Sequence, residues 1–155
     1  MGGVPMHLEY FEGSMFDKVA MIAGQYPNNI AFDFMGKHTT YRQMVKEIER
    51  CARALKTIGV REGDKVTIAM PNCPQAIYMF YAVNRVGAIA NMIHPLSAEK
   101  EIEFYLNESE SVTAIASASG TTISTFGIKL PVPVVTMRFY QALSISGMKL
   151  DCLIW

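Results

Sequence analysis

Apolar residues first recur at helical spacing. Met15, Phe16, Val19, Ala20, Ile22 and Ala23 share one face, with Ser14 placed to cap the start. Tyr26-Pro27-Asn28-Asn29 ends that helix. Ile30 to Met35 then reads as a strand, and Gly36-Lys37 turns it back on a short partner at His38-Thr39. Thr40 with Gln43 forms a capping box. Tyr41, Met44, Val45, Ile48, Cys51, Ala52, Leu55 and Ile58 mark the apolar face of a long helix. Lys46, Glu47, Glu49, Arg50, Arg53 and Lys56 fill its remainder, and Gly59 stops it.

After the turn Arg61-Glu62-Gly63-Asp64, the pattern changes to short apolar runs divided by helices. Lys65 to Met70 is a strand, Pro74 to Val86 an apolar helix closed by Gly87, and Ala88 to Ile93 a second strand. Ser97 caps a helix running to Leu106, with Glu99 and Glu101 near its positive end, and Val112 to Ala116 is a third strand. Strands apolar on both faces, alternating with helices, predict an α/β fold: a parallel, doubly wound βαβαβ sheet. Val66 to Asn84 carries no charge, but Pro71, Asn72, Pro74 and Gln75 divide it into strand, turn and helix, so no membrane span is expected.

Composition narrows the class. The chain has 155 residues, half of them apolar, with mean hydropathy +0.17, which excludes intrinsic disorder. Fourteen Lys plus Arg balance fourteen Asp plus Glu, so net charge predicts no electrostatic footprint for nucleic acid or an anionic membrane. The N-terminus lacks the basic region and apolar run of a secretory signal. Three cysteines, Cys51, Cys73 and Cys152, argue against a disulfide framework and fit a reducing compartment, the cytoplasm.

Charge is uneven along the chain. Residues 111–155 hold four charged side chains of the twenty-eight: Lys129, Arg138, Lys149 and Asp151. Their sequence passes from a polar stretch at Ser117–Thr122 to Leu130-Pro-Val-Pro-Val134 and an apolar end, Leu153-Ile154-Trp155. The expected division is therefore 10–116 as an α/β sub-domain and 117–155 as an unassigned tail. Either the chain stops before its fold is finished, or a truncated or frameshifted tail does not belong to the domain before it.

Chemistry-bearing residues are sparse. His7, His38 and His94 have no second ligand at metal spacing. His94 follows a strand end, where α/β sheets place ligands, but a lone imidazole beside Pro95 reads as a loop residue. Cys51 reads as a buried small hydrophobe, and Cys73, in the Pro71–Pro74 turn, as the more exposed thiol. Glu99, Glu101, Glu103, Glu108 and Glu110 read as a solvated helix face and its exit. Tyr78, Phe80 and Tyr81 belong to a core helix first and a ligand wall second. Ser119-Gly120-Thr121-Thr122 follows a strand, as a phosphate loop would, but has no second close glycine and no lysine before Lys129.

The ordered set of motifs resembles the start of the AMP-forming acyl-CoA synthetases, the adenylate-forming ligase or AMP-binding enzyme family. Tyr26-Pro27-Asn28-Asn29-Ile30-Ala31 precedes a hairpin, as in that family, and Thr39-Thr40-Tyr41-Arg42-Gln43-Met44 resembles its Thr-Tyr-x-Glu-Leu helix start. Ala52-Arg53-Ala54-Leu55, Gly59 and Gly63-Asp64-Lys65-Val66 are similar to the next run, and Met70-Pro71-Asn72-Cys73-Pro74 to its Pro-Asn-x-Pro turn. Val86-Gly87-Ala88, Asn91, Pro95, Glu101 and Tyr105-Leu106-Asn107-Glu108-Ser109 complete the series over residues 10–116.

The resemblance implies an incomplete N-terminal sub-domain of an acyl-CoA synthetase-like large domain. In a full-length member, a carboxylic acid attacks the α-phosphate of ATP, giving an acyl-adenylate and pyrophosphate, and the thiol of coenzyme A takes the acyl group. Mg²⁺ and cationic side chains offset the phosphate charge. ATP, Mg²⁺ and CoA are thus expected for the full-length family and none for this chain alone, because Ile123-Ser124-Thr125-Phe126 stands where the family has Gly-x-Pro-Lys. No catalytic, nucleotide-binding or metal-binding residue of the family maps onto residues 10–116. The alternative is a free-standing α/β module binding a ligand or a protein beyond the strand ends near Asn91–Pro95 and Ser117–Thr122.

Overall fold

The computed structural model describes residues 10–117 throughout, and residues 134–137 and 152–154 by their backbone. The elements are α1 (Met15–Gln25), β1 (Ile30–Phe34), β2 (Lys37–Thr40), α2 (Tyr41–Thr57), β3 (Lys65–Ala69), α3 (Pro74–Val86), β4 (Ile89–Met92), α4 (Glu99–Glu108), β5 (Thr113–Ser117), β6 (Val134–Met137) and β7 (Cys152–Ile154).

Local chemistry sets most boundaries. Ser14 caps α1 reciprocally with Asp17: Ser14 Oγ accepts from Asp17 N–H at 3.1 Å, and Asp17 Oδ2 accepts from Ser14 N–H at 2.9 Å. Thr40 and Gln43 repeat the device at α2, with Gln43 Oε1 accepting from Thr40 N–H at 2.9 Å. Gly87 closes α3 at φ +83°, a left-handed conformation that glycine adopts without a Cβ clash. Three expectations shift. The hairpin turn is Met35-Gly36, both at positive φ, so Lys37 already belongs to β2. Ser97 is not the cap of α4, which starts after Ala98, because the Glu101 carboxylate reaches back to Ala98 N–H at 3.0 Å. Finally, β4 is not buried on both faces: it is a sheet edge, with Ile89 and Met92 about half exposed.

The main sheet has the order β4-β3-β5-β6-β7. β3 pairs in parallel with β4 and β5, and β5 in parallel with β6, while β7 runs antiparallel to β6. The α/β doubly wound expectation therefore stands, with one antiparallel strand added. β4 and β5 flank β3 on opposite sides, so right-handed crossovers put α3 and α4 on opposite faces. Alternation along the strands assigns the two cores. Val66, Ile68 and Ile115 face one layer with Ile48, Leu55, Met79 and Val83 of α2 and α3. Ala69, Ala114 and Ala116 face the other, under Ile102 and Leu106 of α4. Small alanines there let α4 lie close to the sheet. Each fully buried Ile or Leu contributes about 1.5–3 kcal/mol relative to exposure.

Candidate functional site

The carboxyl ends of β3, β4 and β5 lie side by side, as parallel pairing requires. Their polar residues serve the fold. Asn91 Nδ2 donates to Thr67 Oγ1 at 3.0 Å beneath α4. His94 is exposed, and its Nδ1 accepts from Leu96 N–H at 3.2 Å, holding the loop to α4. Ser117 is buried at the end of β5. Ser119–Thr122 and Lys129 lie outside the described residues, as does His7.

A cleft of about 950 Å³ opens beside these ends, between α1, β1 and the start of α3. Ile22, Phe32, Ile77, Phe80 and Tyr81 supply apolar wall, Met92 closes the β4 side, and Asn72, Cys73 and Pro74 form its floor turn. A register irregularity between Ile30 and Phe32 sets Ala31 and Phe32, neighbours in sequence, both partly inward. Phe80 and Tyr81 meet edge-on at 5.4 Å, and Phe32 leans on Tyr78 at 6.1 Å. The third helix is thus core through Tyr78 and wall through Phe80 and Tyr81. No local stretch of sequence contains this cleft, because α1 and β1 meet the start of α3 from a distant part of the chain.

Cys73 corrects an expectation. It is buried, 9% exposed, and joins the core cluster of α2 and α3 at the head of α3. Burial pushes its thiol up, partly offset by the backbone N–H groups of Ala76 and Gln75. Cys51 is buried on the apolar face of α2 as expected. Burial also raises the Tyr78 phenol, against a hydrogen bond with Thr39.

The cleft's charged groups do not converge on a phosphate. Lys18 Nζ stands 5.0 Å over the Phe11 ring, and Asp33 Oδ2 lies 2.9 Å from His38 Nδ1. Among the described residues no group of three His, Cys, Asp or Glu could hold a metal ion. No helix of the described residues is long and apolar enough to cross a membrane. The acidic residues of α4 and its exit sit outside the cleft: Glu101 caps the helix, and Glu110, beyond its end, pairs with Lys65. Residues 10–117 thus do not fit a magnesium–nucleotide site, which needs converging donors and a cation.

Residues 19–143 match the family described as AMP-binding enzyme. A long-chain-fatty-acid–CoA ligase of Bacillus subtilis (strain 168) is 32% identical over 88 residues, 57% of this chain and 16% of that protein. An acetyl-coenzyme A synthetase of Pseudoalteromonas translucida is 34% identical over 105 residues, 67% of this chain and 15% of that protein. This chain therefore spans about a sixth of the length of these curated relatives. Among solved structures, the inhibitor-bound N-terminal domain of FACL13 from Mycobacterium tuberculosis superimposes with TM-score 0.65 at 30% identity, covering 68% of this chain and 27% of that one.

Proposed function

This chain belongs to the AMP-binding enzyme family, and from that membership we propose that it is the N-terminal portion of an ATP-dependent, acyl-adenylate-forming acid–thiol ligase. Residues 10–116 supply scaffold to that ligase's large domain, and 117–155 form a segment of unassigned role. The observation that carries the reading is the match over residues 19–143 to the AMP-binding enzyme family, together with the likeness to a relative named as a long-chain-fatty-acid–CoA ligase and a fold shared with the N-terminal domain of FACL13.

In the complete ligase, ATP, Mg²⁺ and coenzyme A would carry activation and acyl transfer. The residues here do other work. The Thr40–Gln43 and Ser14–Asp17 caps fix α2 and α1, and Asn84 Oδ1 accepts from Phe16 N–H at 2.8 Å, tying α1 to α3. These contacts position strand ends without offering a nucleophile, an acid or a phosphate cradle.

Pyrophosphate release with ATP, Mg²⁺ and a panel of carboxylic acids tests the reading. The 155-residue chain alone should release none. Turnover by this chain would overturn the scaffold assignment. Grafting residues 10–116 in place of the matching segment of the Bacillus subtilis ligase tests the positive side. A soluble graft should release pyrophosphate, and a folded, inactive one counts against it. The apolar cleft favours a second reading, a free-standing ligand-binding module. A ligand-dependent rise in the melting temperature of the isolated chain would support that instead.

A further inference from the structure

We propose that the outer face of α2 docks on a bilayer bearing anionic phospholipid headgroups. This goes beyond the ligase reading and does not depend on it. Arg42, Lys46, Arg50, Arg53 and Lys56 are all exposed, while Met44, Ile48, Cys51, Ala52 and Leu55 are buried beneath them. At 3.6 residues per turn the five cations share an arc of roughly 120° and a length of about 21 Å. The two acids of the helix weaken this row little. Glu49 is drawn to Arg85 at 3.0 Å, and Glu47 reaches Arg50 at 3.7 Å. Among the described residues no acid pairs with Arg42, Lys46, Arg53 or Lys56.

The fold sorts charge that the sequence balances. α2 carries five cations and two acids, and it lies in the layer on one face of the sheet. α4 carries four acids and one cation, and it covers the other face. Net charge near zero therefore hides two opposed faces, and the expectation of no membrane footprint rests on that sum and not on where the charges lie. A planar anionic partner fits better than nucleic acid. The apolar side of α2 is packed against α1 and α3 along its length, so the helix cannot protrude into a groove. Each Lys or Arg near an anionic leaflet adds attraction that fades within a Debye length.

Flotation with lipid vesicles tests this on the full 155-residue chain, because aggregates do not float. The chain should rise with phosphatidylcholine vesicles containing phosphatidylserine and not with phosphatidylcholine alone. Raising salt from about 0.1 M to about 1 M, which cuts the screening length from about 10 to about 3 Å, should release it. Arg42→Glu/Lys46→Glu/Arg53→Glu should lower the bound fraction at least about tenfold. The milder Arg42→Gln/Lys46→Gln/Arg53→Gln should also weaken it, with folding of both checked by circular dichroism. Glu99→Gln/Glu103→Gln should leave binding undiminished. The proposal is overturned by no flotation with phosphatidylserine, by equal flotation without it, or by a folded triple variant that binds unchanged. Tighter binding of a DNA duplex than of the vesicles at the same salt would overturn it too.

Discussion

Thr67 and Ser111 stand hydroxyl to hydroxyl, 2.7 Å apart, beneath α4. Asn91 adds a donor to Thr67 from β4, and Ser109 lies 2.8 Å from Ser111 on the other side. The chain of four polar groups ties the edge strand, the central strand and the approach to β5 on the face where alanines leave room. Thr67 is fully buried, so each of its partners relies on it. Thr67→Val keeps the shape and removes the hydroxyl. It should cost about 1–3 kcal/mol, read as a lower urea midpoint with unchanged slope. An unchanged midpoint would show that the hydroxyl adds no net stability.

Asp17 and Glu110 give the fold an acid sensitivity of defined sign. Hydrogen bonds from Ser14 hold Asp17 below the usual carboxylate range, and Lys65 does the same for Glu110. A depressed folded value means the stabilisation is complete above the unfolded value, near pH 4, and is lost as pH falls through the folded one. Both groups are at the surface, so the effect is small and screened by salt. The melting temperature should fall less steeply below about pH 4 in Asp17→Asn than in the parent. Parallel curves would remove Asp17 from the account.

Cys73 should behave as a hidden thiol despite its place at a helix N-terminus. Burial raises its pKa, which lowers the thiolate fraction that reacts. Iodoacetamide labelling near pH 8, read by peptide mass spectrometry, should be at least about tenfold slower at Cys73 than for free cysteine. Labelling at the free rate would mean that the floor of the cleft opens to solvent.

How much of this was legible follows from the range over which each residue acts. Ser14, Thr40, Gly59 and Gly87 act on their own turns, so helix starts and stops could be read residue by residue. The alternation of Val66 and Ile68 with Thr67 and Ala69 already carries the two-faced sheet. The cleft and the burial of Cys73 depend on α1, β1 and α3 meeting, which no local window contains. Ser97 misled because serine is a good cap, whereas a carboxylate three residues into the helix does the capping. The charge of α2 was visible as composition, but its separation from the acids of α4 required knowing which face of the sheet each helix covers.

In the proposed scaffold role, residues 10–116 position a sheet edge without gathering the donors and cation that bind triphosphate. Isothermal titration of the full 155-residue chain with ATP and Mg²⁺ tests that most directly. Heats no larger than those of dilution are expected. Tight, saturable, magnesium-dependent uptake by this chain alone would contradict that role.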